Sequence, residues 1–558
     1  MTLPNEQVNA LLIKAGIDQK TLDDLIVFTD NAKISLQEAA IEKNVISDDK
    51  LGMLIAGFLK VPFASLSKIS IPEHIFRIIP ERLARKYKVI AFGRDATGIK
   101  LAMTNPKETQ LVEMIVKKTG QKVIPYYATE RDIDNAMQLY KKNLQDLFDE
   151  LLQNEITTKI IADDAPIVKM IELLITRAYQ DKASDIHIEP QEKNILIRFR
   201  LDGILHDVLS LDKRHQDRIV TRIKILSKLR TDEHLSPQDG KMRIQVDDEN
   251  LDIRTSIIPI ADGEKVVLRL LASHFRQFSL QDLGMNESDL KKTTNAINKA
   301  YGMILSTGPT GSGKTTTIYS ILKILNTRQK NITTIEDPVE YRIKAVNQIQ
   351  VNAKTKLTFA NGLRSILRQD PDIIFVGEIR DSETAGIAVN AALTGHLVLS
   401  TIHTTNAATA LPRLIDMEVE PFLVASTVDI IIAQRLVRKI CESCKFKTTV
   451  KRSDFIKNFP EKSITKYFGS QENIKIMQGE GCKVCHYTGY SGRIGIFEVI
   501  EITNKIRKLI TEKNDSDIIN KEAIEEGMTT MLEDGLEKVG KGITTIKEVL
   551  RVTKVESA

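Results

Sequence analysis

The 558-residue chain sets 79 Lys and Arg against 74 Asp and Glu, a formal net charge of +5, with 42% hydrophobic and 27% charged residues. This composition excludes fibrous, collagen-like and disordered classes, and interspersed charge of both signs builds no strong field for nucleic acid or an acidic membrane. The length implies about three or four domains.

Residues 1–14 show no basic stretch running into a long apolar core and cleavage site, so a cytoplasmic protein is expected. Residues 384–412 contain no Asp, Glu, Lys or Arg and are long enough to span a bilayer. Asn390, Thr394, His396, Ser400 and His403 would carry polar groups into lipid, so soluble core is expected instead.

Residues 1–145 alternate helical patterns, at 6–14, 37–43 and 48–59, with strand-like runs at 88–92 and 122–127, which predicts an α+β domain. A polar stretch rich in Asp, Glu, Asn and Gln, broken by Ala165-Pro166, predicts a linker over 146–164. Residues 165–283 read as a sheet-rich domain with strands at 185–189, 195–200, 242–246, 251–257 and 265–270. From 284 to 558 helices and strands alternate around a Gly-rich turn, the pattern of an α/β fold with a parallel sheet.

That turn, made of Gly308, Pro309, Thr310, Gly311, Ser312, Gly313, Lys314 and Thr315, satisfies G-x-x-x-x-G-K-[ST] between a predicted strand at 303–306 and a helix at 316–325. Its glycines let backbone N–H groups wrap the phosphates of ATP. Lys314 reaches the β and γ phosphates, the Thr315 hydroxyl suits Mg²⁺, and the helix N-terminus favours the anion.

A second strand, Asp372-Ile-Ile-Phe-Val-Gly-Glu378, ends in Gly377 where a magnesium-side Asp is expected, leaving Glu378 to polarise the attacking water. Thr333-Thr-Ile-Glu-Asp-Pro338 brings Glu336 and Asp337 to a strand end, where they can orient the magnesium shell; the same residues suit an ordinary turn. His396 and His403 flank a strand predicted at 397–401 and are candidates to sense the γ-phosphate, against the plain reading of structural histidines.

The four cysteines form two C-x-x-C pairs, Cys441 with Cys444 and Cys482 with Cys485. Paired knuckles suit four thiolates on a structural Zn²⁺ with no open position. Disulfides compete with this, but not in a reducing compartment. The metal would staple an excursion over 441–485 to the domain that carries the Gly-rich turn.

Together these segments resemble the secretion ATPases, specifically the type IV pilus assembly (extension) ATPases and their relatives in type II secretion. The resemblance runs through Ser184-Asp-Ile-His-Ile-Glu-Pro190, Arg200-Leu-Asp-Gly203, Pro237-Gln-Asp-Gly240, the P-loop, Ile335-Glu-Asp-Pro-Val-Glu340, Leu367-Arg-Gln-Asp-Pro-Asp372, Val376-Gly-Glu-Ile-Arg380, Thr394-Gly-His-Leu-Val-Leu-Ser-Thr-Ile-His403 and the cysteine pairs. In that family Gly at the position of Gly377 is usual.

The resemblance implies a RecA-like ATPase core over 284–558, preceded by a PAS-like α+β domain over 165–283 and an N-terminal docking domain over 1–145. It implies a homohexamer in which the domain before the core covers a neighbour's nucleotide and lends arginines, here Arg254 and Arg269. Glu378, Glu336 and His403 complete the implied catalytic set. The implied partner is an inner-membrane platform protein, reached peripherally at the cytoplasmic face and without nucleic acid, for pilus extension or pseudopilus assembly. Some members bind cyclic di-GMP through Arg-Leu-Gly and spaced leucines; Leu11-Leu-Ile-Lys-Ala-Gly and Ile34-Ser-Leu-Gln-Glu-Ala lack it, so dinucleotide binding is not expected.

Overall fold

The computed structural model describes residues 4–553 apart from 33, 44, 67–68, 70, 141–143, 146, 150–164, 247–248, 272–278 and 458. The linker expected over 146–164 lies almost wholly outside them. The chain divides into two compact units, Met1–Pro72 with Ala91–Asp132 and Gln277–Ala558, and Glu73–Ile90 with Ile133–Arg276.

The first unit is organised by a seven-stranded sheet in the order Asn347–Gln350, Ile332–Glu336, Ile373–Val376, Leu397–Ile402, Gly302–Thr307, Val428–Ile440, Tyr490–Glu501. The first six strands pair in parallel and the last antiparallel. Ile332–Glu336, Ile373–Val376, Leu397–Ile402 and Gly302–Thr307 are buried at every position. Such continuous burial follows from a parallel sheet covered by helices on both faces, and one large cluster fills each face.

The charge-free stretch 384–412 resolves into most of the helix Ser382–Leu393, the strand Leu397–Ile402 and the start of the helix Ala410–Asp416, all feeding this core. Among the described residues no helix is long and apolar enough to cross a membrane.

The N-terminal part of the same unit carries helices Asn5–Lys14, Gln19–Ala32, Leu36–Glu42 and Asp48–Leu59, and a three-stranded sheet of Val89–Asp95, Gly98–Met103 and Val123–Tyr127. The sequence reading missed the second helix and the middle strand. Lys43 donates to the carbonyls of Ile324 and Asn326, at 3.3 and 2.8 Å, where the helix Lys314–Leu325 ends. A cation there offsets the negative end of that helix's dipole.

The second unit is a six-stranded antiparallel sheet in the order Ile204–Asp212, Asn194–Leu201, Asp185–Pro190, Gly263–Leu271, Glu249–Ile260, Gln238–Val246. Alternate residues Ile195, Ile197, Phe199 and Leu201 are buried, so one face is packed and one open. Helices Ala165–Gln180 and Gln216–Leu226 cover the packed face. The strand Ile204–Asp212 was not expected from sequence. It follows a two-residue turn in which Asp202 and Gly203 both have positive φ, 50° and 90°, the Asp-Gly signature of a type I′ hairpin.

Candidate functional site

The strand Gly302–Thr307 is central in its sheet, and the chain leaves its C-terminal end through the loop 308–313 into the helix Lys314–Leu325, which starts two residues earlier than the sequence pattern suggested. Gly308, Gly311 and Gly313 take φ of 143°, 78° and 93°, which β-carbon-bearing residues resist. Pro309, Thr310 and Gly311 are exposed, whereas Lys314 is buried and donates to the carbonyls of Gly308 (2.8 Å) and Pro309 (3.1 Å). Burial pushes the Lys314 ammonium down to about 8; Glu378 opposes this and Arg435 adds to it. The loop is thus a backbone cradle with a partly buried cation inside it, the arrangement that receives phosphate groups.

Two neighbouring strand ends bring acids and a histidine to the same edge of the sheet. Glu378, 8% exposed, follows the strand Ile373–Val376. Arg380 binds its Oε1 at 2.6 Å, and His403, just past the strand Leu397–Ile402, lies 3.3 Å from its Oε2. Glu378 is thereby held from two sides.

The glycine before it has a packing reason. A Cβ at Gly377 would sit 3.2 Å from the Glu336 Cα and from the Ile335 carbonyl, to which the Gly377 N–H also donates at 2.7 Å. An Asp there would need the two strand ends to part by a few tenths of an ångström, which favours Gly.

Glu336 ends its strand 2% exposed and its carboxylate is fully engaged. It accepts from the Tyr319 hydroxyl, from Thr334 at 2.6 Å and from Gln348 at 3.1 Å. Burial raises its pKa, against those three hydrogen bonds. Because Tyr319 belongs to the helix after the P-loop, Glu336 ties that helix to the strand end, and its described partners do not include Lys314 or Glu378. Asp337 beside it is exposed.

His396 lies at the N-terminal end of the strand whose C-terminal end leads to His403, about 20 Å away for six strand residues. It faces the Ala391 carbonyl at 3.0 Å. Of the two histidines, only His403 shares the edge with the P-loop.

In the second unit, strand register puts Arg200, Asp185, Arg269, Arg254 and Lys241 in one cross-strand row. Arg254 and Arg269 stand directly opposite each other. Like charges so placed repel, and Asp185 offsets this by binding Arg269 at 2.8 Å and Arg200 at 3.4 Å.

The four cysteines converge where the strands Val428–Ile440 and Tyr490–Glu501 leave the main sheet. Their sulfurs all lie within 4.8 Å of one another, with separations of 3.9 Å (Cys441–Cys482), 3.8 Å (Cys444–Cys485) and 3.7 Å (Cys482–Cys485). A tetrahedron of sulfurs about 2.3 Å from a central metal has edges of about 3.8 Å, so the set fits a four-thiolate metal. No two of the four are joined as a disulfide, and all four sulfurs converge on one point, which favours the metal reading over two disulfides. Backbone N–H groups of Gly481, Cys482 and Gly489 point at the sulfurs of Cys444, Cys485 and Cys485, favouring thiolates. The excursion beyond them is a hairpin, Lys445–Lys451 with Asn473–Gly479, and two short helices packed on Leu536, Val539 and Val549.

Sequence reasoning missed Tyr319, Gln348 and Arg380 as partners of the two glutamates, and Gln434 beneath the P-loop. Arg380 was the nearest to legible, two residues beyond Glu378.

A family model described as Type II/IV secretion system protein matches residues 161–551, and one described as MshEN domain matches residues 59–146. Type II secretion system protein E of Dickeya dadantii (strain 3937) is 42% identical over 466 residues, 83% of this chain and 90% of its own. Type IV pilus assembly ATPase PilB of Myxococcus xanthus (strain DK1622) is 37% identical over 530 residues, 92% of each chain. Among solved structures, the ATPase DotB of Legionella pneumophila has a TM-score of 0.51 at 20% identity, covering 69% of this chain and 95% of that one; it bears on the fold alone, an α/β fold with a RecA-like core. The chain belongs to the type II/IV secretion system protein family and is an ATPase.

Proposed function

We propose that this chain is a hexameric ATP-hydrolysing motor that drives type IV pilus assembly through an inner-membrane platform protein, working at the cytoplasmic face of the membrane. The observation that carries this reading is the Myxococcus pilus ATPase aligning over 92% of both chains, N-terminal region included. Type II secretion, with pseudopilus assembly, is the second reading, favoured by the higher identity of 42% to the Dickeya protein over a shorter span. Deleting the gene separates them: loss of surface pili with exoprotein secretion intact supports the first, and the reverse result overturns it in favour of the second.

In this mechanism the amides of residues 308–313 and Lys314 hold the phosphates of ATP. The Thr315 hydroxyl is the chain's ligand for Mg²⁺, whose contribution is to neutralise charge on the β and γ phosphates. Glu378 accepts the proton of the attacking water, held in place by Arg380 and His403. Glu336 fixes the helix that begins at Lys314. Arg254 and Arg269 of one subunit reach the phosphates bound by the next. The cysteines hold a structural zinc.

Lys314 gives this scheme a pH signature. With its pKa brought down to about 8 in the free site, the side chain is largely neutral at pH 8.5, and a bound phosphate favours the ammonium. Nucleotide binding at pH 8.5 is therefore accompanied by uptake of roughly half a proton or more, falling towards zero at pH 6.5. Calorimetry in two buffers of different ionisation enthalpy measures it; equal uptake at both pH values contradicts the assignment.

A further inference from the structure

The strand Val428–Ile440 runs beside the P-loop strand, with Ala433 in register with Thr307. Its next residue, Gln434, is completely buried under the loop. The Thr317 hydroxyl, at the start of the helix that follows the loop, donates to Gln434 Oε1 at 2.6 Å. A Cβ at Gly308 would stand 2.5 Å from the Gln434 carbonyl oxygen, and one at Gly313 would stand 2.8 Å from its Nε2. The first and sixth residues of the loop thus rest on this one residue, through its main chain and its amide. Yet Nε2, buried as it is, has no hydrogen-bond partner among the described residues. A buried donor left unpaired is unfavourable, and such groups are uncommon enough to need a reason.

We propose that Gln434 positions the P-loop for phosphate binding: Oε1 anchors the start of the helix through Thr317, and Nε2 receives a loop carbonyl as the loop's amides turn towards the phosphates. The peptide unit is planar and trans, so turning an N–H inward carries the carbonyl of the same unit to the opposite side. Nε2 stands 2.8 Å from where a Cβ on Gly313 would be, close enough for a loop carbonyl turned outward to meet it. The unpaired donor gains its acceptor in the phosphate-binding geometry of the loop, which makes that geometry the favoured one. Gln434 acts through the loop and touches neither water nor the γ-phosphate.

The inference rests on the P-loop being the nucleotide site. Its test is the KM for ATP and kcat of the full-length protein carrying Gln434→Met, Gln434→Glu or Thr317→Val, with Lys314→Ala beside them. Gln434→Met keeps the volume and removes both hydrogen bonds; Gln434→Glu keeps the acceptor for Thr317 and replaces the donor by a second acceptor. Each raises KM about tenfold, with kcat within about threefold. Thr317→Val raises KM as well and adds less than its own effect to Gln434→Met, because both break one contact.

Wild-type KM in both Gln434 variants overturns the proposal, as does a joint fall of kcat and melting temperature with KM unmoved. If the Gln434 variants do not fold, Thr317→Val decides, and a wild-type KM there overturns it. ATP affinity retained by Lys314→Ala removes the P-loop reading itself, whereas affinity lost in Lys314→Ala but intact in the Gln434 variants removes only this inference.

Discussion

Glu378→Gln lowers ATP hydrolysis by about 100-fold or more while leaving nucleotide affinity within a few-fold, the expected cost of removing a general base. Gln fills the same buried space and can still accept from Arg380 through its one amide oxygen, while its amide nitrogen donates to the neutral ring nitrogen of His403, the two partners standing 2.6 and 3.3 Å from the carboxylate oxygens in the native chain. What it loses is the negative charge that takes a proton from water. The measurement is phosphate release under saturating ATP together with binding of a fluorescent nucleotide. Undiminished release removes Glu378 as the base.

Removing the metal proposed for the four cysteines has the second largest expected effect, and it falls on stability before catalysis. Four-thiolate sites contribute binding free energy that is folding free energy, on the order of 10 kcal/mol for small zinc domains. Here the cysteines close the base of the excursion between Lys445 and Gly479, whose own cluster includes only a few aromatic and aliphatic residues, among them Phe455, Phe459 and Ile464.

A Cys482→Ser variant, or chelator treatment, accordingly makes the chain between 445 and 479 sensitive to proteolysis at temperatures where the main sheet resists it. Hydrolysis falls by a smaller factor, because only one of the two strands that lead into the cluster, Val428–Ile440, lies beside the P-loop strand, and Tyr490–Glu501 pairs with its other edge. Mass spectrometry of the native protein reads one zinc per chain. No bound metal together with an unchanged proteolytic pattern contradicts the structural role.

The parts of the site that were legible in the sequence are those made by contiguous residues. The P-loop needs a strand, six loop residues and a helix start in order, and local pattern shows all three. The paired cysteines declare themselves by spacing. Partnerships across the sheet are different in kind.

Nothing near Gln434 reveals that its strand will lie next to the one at 302–307, because strand order depends on which crossover packs where. The same holds for Tyr319 and Glu336, seventeen residues apart and joined only when the helix folds back on the sheet. Glu336 and Asp337 stand in the sequence as candidate acids beside the strand end that has Gly377 in place of Asp; the close approach of the two strand ends, which disfavours a side chain at 377, shows only in the fold. In the second unit, Asp202-Gly203 carried a hairpin signal that went unused, and with it went the strand Ile204–Asp212.

Phosphate release by the purified, zinc-replete chain, sized with and without ATP and compared with Lys314→Ala, tests most directly whether the loop from Gly308 to Thr315 is where this ATPase turns over its nucleotide. The predicted result is activity that appears with the hexamer and is lost in Lys314→Ala. Turnover persisting in Lys314→Ala, or ATP bound without turnover in every oligomeric state, contradicts it.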